Sequence, residues 1–187
     1  MHTYGAQPVK RDELECDLRL TGQVVPVINV VLYQPENPHN TGAVVRTCAL
    51  LNARLHLIKP YGFVGIDGDV RRSSMSYLDA VQVVEHDSWD AFAGSLHGTA
   101  ARLLAFWDEG SVPHDRTVYH DEDYLLFGQE SVGLPGAITS TYPSLRIVMP
   151  GASASARSDH RVHSLNLSVS VGIAVAAANS SLRAERD

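Results

Sequence analysis

Between Val27 and Lys59 the sequence sets out a strand, a turn, a helix and a second strand, and this order constrains the fold more than any other feature of the chain. Val27 to Tyr33 is a β-branched run and Pro35 to His39 is rich in turn formers. Thr41 to Leu51 has helical character with Asn40 as a candidate N-cap, and Leu55 to Lys59 reads as the next strand. A strand, helix and strand this close together form a βαβ unit with parallel strands and a right-handed crossover. The alternation continues with a helix at Asp69 to Leu78, a strand at Val81 to Val84, a helix at Trp89 to Leu96 and a strand at Arg102 to Phe106. A polar turn with Pro113 follows, then a strand at Tyr124 to Phe127, a short helix after Pro135 and a strand at Leu145 to Met149. The expected fold is α/β, with a mostly parallel sheet and helices on both faces.

No internal repeat or linker divides the chain, so residues 26–187 are expected to form one domain, preceded by an extension, Met1 to Val25, with little independent structure. Gly151 to His163 is an unusually long loop of small and charged residues. Ser164 to Val175 alternates polar and apolar residues as a strand would. Leu165, Val169, Gly172, Ile173 and Ala176 also fall at helical spacing, and the following alanines are strong helix formers, so a helix is predicted here.

Composition narrows the functional classes. With 44% apolar and 19% charged residues among 187, the chain is globular, which excludes a disordered tail, a collagen-like repeat and a coiled coil. Its most apolar stretch, Val171 to Ala178, is far short of the roughly 20 residues a bilayer demands, so no membrane association is expected. The charged start and the two isolated cysteines, Cys16 and Cys48, lead to the expectation of a cytoplasmic protein without a disulfide framework or a thiolate zinc site. A net charge of −6 argues against attachment to nucleic acid by phosphate contacts alone. The charge is uneven, however. His39 to Arg72 carries Arg46, Arg54, Lys59, Arg71 and Arg72 against Asp67 and Asp69, whereas Asp79 to Glu130 holds eleven acids and only Arg102 and Arg116. The basic section suits an anionic ligand; the alternative is a solvated surface of uneven charge.

The common nucleotide signatures, G-x-G-x-x-G and G-x-x-x-x-G-K-[ST], are missing. GQESVG approaches a nucleophile elbow, but Gln129 stands where its first glycine belongs. His160 and His163 beside Asp159 lack a third metal-ligand pattern. Three segments placed after predicted strands stand out instead: PHNTGAVVR (Pro38 to Arg46), LLFGQESVGLP (Leu125 to Pro135), and RIVMP (Arg146 to Pro150) continued after an insertion by HSLNLSVSVGIAV. Taken singly, Asn40 is a helix cap, Arg46 a surface charge, Glu130 a surface acid and Asn166 a polar helix start, while Gly128, Gly133 and Pro135 punctuate turns.

In this order the three segments resemble the signature motifs of the SPOUT class of RNA methyltransferases, in the branch acting on ribose 2′-hydroxyls. NVVLYQPENPHNTGAVVRTCA is most similar to the opening of the minimal enzymes that modify the tRNA wobble nucleotide, and the resemblance spans Val27 to Ala178. It implies a C-terminal deep trefoil knot whose loops wrap S-adenosylmethionine, without a metal, and a demethylated product, S-adenosylhomocysteine. By resemblance the cofactor loops contain Phe106, Gly128 and Ile147, with Ser164 and Leu165 at the start of the last helix. Glycine at 128 would let backbone approach the ligand closely. Arg46 corresponds to the family's catalytic arginine, oriented by Asn40 and Glu130, with Ser164 and Asn166 shaping the meeting point of ribose and methyl group. An arginine is too weak an acid to serve as base, so Arg46 is expected to stabilise developing charge on the 2′-oxygen. The partners implied are the anticodon region of tRNA and a second copy of the chain, paired through the last helix. The chain departs from its relatives in the insertion Gly151 to His163, which brings Arg157 and Arg161. Alternatives are a ribosomal RNA substrate, an RNA-binding module without activity, and a serine hydrolase using Ser131 with His163.

Overall fold

The computed structural model describes residues 27–147 and 165–184. The N-terminal extension, the 151–163 loop with Arg157, His160, Arg161 and His163, the cofactor candidate Ser164 and the connection on which the knot expectation rests lie outside the described residues.

Seven parallel strands form one sheet: β1 (Ile28–Tyr33), β2 (Ala53–Ile58), β3 (Val83–His86), β4 (Leu103–Phe106), β5 (Val112–Pro113), β6 (Tyr124–Phe127) and β7 (Ser144–Arg146), in the order β3-β2-β1-β6-β4-β7-β5. Strand pleat divides the apolar residues between two faces. Ile28, Val30 and Leu32 of β1, Leu55 and Leu57 of β2 and Leu125 and Phe127 of β6 share one core with α1 (Pro38–Leu50) and the C-terminal helix. Val31, Leu103, Ala105 and Leu126 point the other way, against Phe92 of the helix Trp89–Leu96 and Ile138 of Gly136–Thr139. Helices therefore cover both faces, as expected of a parallel sheet.

Several boundaries differ from the sequence reading. Asn37, not Asn40, caps α1: its Oδ1 accepts from the His39 N–H at 2.9 Å, and Pro38 opens the helix, where a missing N–H costs nothing. The helix expected at Asp69 to Leu78 is broken. A π-turn (Ile66–Val70) runs into α2 (Arg71–Ser73), after which Met75 and Ser76 take left-handed conformations (φ 53° and 70°) and turn the chain into a 3-10 helix, Tyr77–Ala80. β3 starts two residues later than read. The turn at Pro113 hides a two-residue strand at the sheet edge, where proline is tolerated.

With Trp89–Leu96 as α3 and Gly136–Thr139 as α4, the C-terminal helix is α5, Leu167–Ala184. It buries Leu167, Val171, Ala174, Val175, Ala178 and Leu182. The helical reading thus prevails over the strand period, and Leu165 and Val169, 40% and 48% exposed, lie off the buried stripe. By length and hydropathy α5 would suffice to cross a membrane, yet this stripe packs it onto α1, β1 and β6 as a core helix. It runs parallel to α1, since Asn40 meets Asn166 at one end (3.0 Å) and the Asn179 side chain donates to the Leu51 carbonyl at the other (2.9 Å). Cys48 on α1 is buried, which pushes its thiol up to about 12 and makes it a core residue without nucleophilic character.

On the second face a polar chain crosses three strands. Asn29 Oδ1 lies 3.3 Å from His56 Nε2, and His56 Nδ1 lies 3.0 Å from His86 Nε2. A carbonyl oxygen only accepts, so Nε2 of His56 carries the hydrogen and Nδ1 accepts from His86. Burial, helped by the nearby His86 and Arg54, pushes the His56 imidazole down to about 4 from its ordinary 6.5. The unfolded chain therefore binds the extra proton first: the contribution is complete above pH 6.5 and is lost as pH falls towards 4. Urea unfolding should lose up to about 3 kcal/mol across that window. A His56→Phe variant should show a flatter pH profile.

Candidate active site

In open parallel sheets ligands bind beyond the carboxyl ends of the strands, and the polar residues singled out in the sequence collect at that edge. The loop after β1 and the loop after β6 are clamped together by two carboxylates. Glu130 accepts from the backbone N–H groups of Glu36 (2.8 Å) and Asn37 (3.3 Å) and from the Asn40 amide (3.1 Å). Glu36 in return accepts from the N–H and hydroxyl of Ser131, both at 2.8 Å. Two loops more than ninety residues apart in sequence thus share reciprocal charge-assisted hydrogen bonds.

Asn40 is free for this role because Asn37 caps α1 in its place. Its Oδ1 accepts from the Asn166 amide at 3.0 Å, and Asn166 Oδ1 accepts from the N–H and hydroxyl of Ser168, capping the start of α5. One line, Glu130 to Asn40 to Asn166, therefore ties the three sequence segments together. Glu36 was not singled out from the sequence, since an acid inside the turn PENP gives no signal until its partner at Ser131 is known.

The cofactor candidates lie on adjacent strands. Register pairs Phe106 of β4 with Phe127 of β6 and with Leu145 of β7, so Phe106, Gly128 and Ile147 end neighbouring strands at one edge. Gly128 and Ile147 fall just past the paired ladder, leaving their backbone polar groups at the rim beside the stacked Phe106 and Phe127 rings (4.7 Å) and the partly buried Ile147. Backbone donors and acceptors with apolar walls suit an adenosine and a methionyl chain. Glycine at 128 has a packing reason in the loop itself: a Cβ there would strike the backbone of Gly133, which pairs with Gln129 to close the loop. Close packing within the loop is by itself enough to exclude a side chain here.

Arg46 stands apart from the polar line. Six residues beyond Asn40 on α1, it lies about 9 Å further along and on a different side of the helix. Its guanidinium sits over the Tyr77 ring, 5.8 Å from the centroid. The structure does not bring it to Asn40 or Glu130, whose polar atoms are engaged elsewhere. The rest of the basic section is neutralised: Arg54 pairs with Glu122 (2.5 Å), Lys59 with Asp87 (3.1 Å), Arg71 with Asp79 (3.0 Å) and Arg72 with Asp69. Among the described residues, exposed Arg46 is the one cation of that section that meets no carboxylate. As for the hydrolase alternative, the Ser131 hydroxyl donates to Glu36 and its proposed base, His163, lies outside the described residues.

The sheet and the edge-on polar site define a parallel α/β protein with a candidate ligand site across its strand ends. Residues 27–176 match the model of the SpoU rRNA methylase family. The tRNA (cytidine(34)-2′-O)-methyltransferase of Yersinia pestis is 38% identical over 152 residues, 80% of this chain and 90% of that protein. The enzyme of the same name from Escherichia coli K12 is 37% identical over the same length and shares. A solved structure bearing on 2-OH methylation of C/U34 on tRNA superposes with a TM-score of 0.77 at 38% identity, covering 86% of this chain and 99% of that one. AviRb from Streptomyces viridochromogenes, solved with AdoMet, shares the fold at 21% identity and a TM-score of 0.70, over 86% and 60% of the two chains. The chain belongs to the SpoU rRNA methylase family.

The loop clamp has a measurable consequence. Glu130→Ala strips three donors of their acceptor and should cost about 1–3 kcal/mol in urea unfolding. Combined with Glu36→Ala the losses should fall short of additive, because both carboxylates close the same pair of loops.

Proposed function

We propose that residues 26–187 work as one cytoplasmic methyltransferase domain that methylates the 2′-hydroxyl of the wobble ribose of a tRNA. The observation that carries this reading is the Glu130, Asn40 and Asn166 line at the sheet edge, with an uncompensated Arg46 on the same helix as Asn40, in a chain 38% identical to a tRNA (cytidine(34)-2′-O)-methyltransferase. Bound S-adenosylmethionine supplies an electrophilic sulfonium methyl group. Phe106, Gly128, Ile147, Ser164 and Leu165 hold that cofactor, largely through backbone groups, and no metal is needed.

The protein's own work is alignment and charge stabilisation. The Glu130 clamp fixes the loops after β1 and β6, and Asn40 and Asn166 hold the start of α5 against them. Arg46 stabilises the negative charge that grows on the attacking 2′-oxygen, and the neighbouring phosphate or a water takes the proton. Because Arg46 and the polar line are separated within one chain, the RNA surface is composed by two copies. The face formed by Leu165, just before α5, with Val169, Ile173 and Ala176 on it, joins them, and the anticodon region of tRNA lies across the pair. A second reading, a ribosomal RNA substrate, has the family description behind it.

Incubation with labelled S-adenosylmethionine and unmodified total tRNA and rRNA, followed by mapping of 2′-O-methylated nucleotides, should place the label at position 34 of tRNA and nowhere in rRNA. Arg46→Ala should keep cofactor affinity, measured by calorimetry in EDTA, while lowering the single-turnover rate about a hundredfold or more. Arg46→Lys should rescue little, since an ammonium lacks the planar fork. Val169→Glu should convert a sedimenting dimer to monomer; a wild-type chain that is monomeric at all concentrations would contradict the paired surface.

A further inference from the structure

We infer that Tyr77 is a positioning residue for Arg46, acting through the face of its aromatic ring. The inference rests on the reading of Arg46 as the charge-stabilising residue. An arginine that must meet a developing oxyanion faces two opposing demands. Its long side chain has to be held, but a carboxylate that held it would also occupy its N–H donors and cancel its charge. An aromatic ring meets both demands, because it attracts the cation through the ring face and leaves the donors at the guanidinium edge unused.

The structure supplies this arrangement at one place. Arg54, Lys59, Arg71 and Arg72 are each paired to an acid, while Arg46 lies over Tyr77, within cation–π range at 5.8 Å. Tyr77 is itself fixed. Its ring is half-buried against the core, its N–H donates to the Ser74 carbonyl at 3.1 Å, and Leu78 beside it is buried. Ahead of it stand Met75 and Ser76, two non-glycine residues in left-handed conformation, an arrangement that persists only where surrounding packing over-determines it. That packing is visible at Ser73, which fills the space left by the absent side chain of Gly42 on α1 and donates to the Pro38 carbonyl at 3.1 Å. The segment is thus pinned to the helix that carries Arg46. The contact that Tyr77 makes with Arg46 is through the face of its ring, which assigns the positioning role to the ring.

The test is a series at position 77 in the full-length protein, read by single-turnover methylation of tRNA at saturating enzyme and cofactor. Tyr77→Phe should stay within about twofold of wild type, and Tyr77→Leu, which keeps apolar packing, should fall about tenfold. Replacement by phenylalanines of increasing fluorination, which preserve shape while draining the ring face of negative charge, should lower the rate stepwise at unchanged melting temperature and cofactor affinity. In an Arg46→Ala background the whole series should be flat. A fluorination series that leaves the rate unchanged in the wild-type background, while Arg46→Ala is slow, overturns the positioning role and spares the catalytic one. Wild-type rates for Arg46→Ala itself overturn the reading of Arg46 on which the inference stands.

Discussion

The parallel pairing of β1 with β6 is the contact on which the rest of the site depends. It sets Leu32 against Phe127, so the loops that follow the two strands leave the sheet side by side. Only then does the Glu130 carboxylate lie within reach of the Glu36 and Asn37 N–H groups, and Glu36 within reach of Ser131. Backbone N–H groups past a strand end have no ladder partner, so carboxylates that accept from them remove a desolvation cost and fix the loops together. The pairing of β4 with β6 and β7 extends the same edge and aligns Phe106, Gly128 and Ile147.

Electrostatics then separates structural from functional charge. The acidic total of the chain would repel RNA, and most basic side chains in the 39–72 section are consumed by local acids. Exposed pairs of that kind contribute little stability, but they remove the net positive field the sequence suggests. What remains is a single cation on an aromatic ring, Arg46 on Tyr77, on the outward side of α1.

Much of the fold was legible in the sequence because its signals are local. The β-branched run at Ile28–Tyr33, the helix Trp89–Leu96 capped by Ser88 and the apolar Tyr124–Phe127 each follow from side-chain period and capping chemistry over a few residues. The reading failed where conformation is imposed from a distance. The 69–78 helix breaks at Met75 and Ser76 because α2 is seated against Gly42, and nothing within that segment announces it. Asn37 and Asn40 are equally good caps by residue type; Pro38 at the first helical position decides between them.

By itself the sequence determined the α/β class, the mostly parallel character of the sheet and three of the residues that meet at the sheet edge, Asn40, Glu130 and Asn166. Period, cap and motif are properties of short stretches of chain, and short stretches fix their own backbone preferences. Tertiary structure alone decided what each polar group is bonded to: that Glu130 holds the loop backbone and Asn40 rather than Arg46, that Glu36 answers through Ser131, and that Arg46 rests on Tyr77. Hydrogen bonds and cation–π contacts act over a few ångströms between residues tens of positions apart. Their partners exist only once the sheet has brought the loops together.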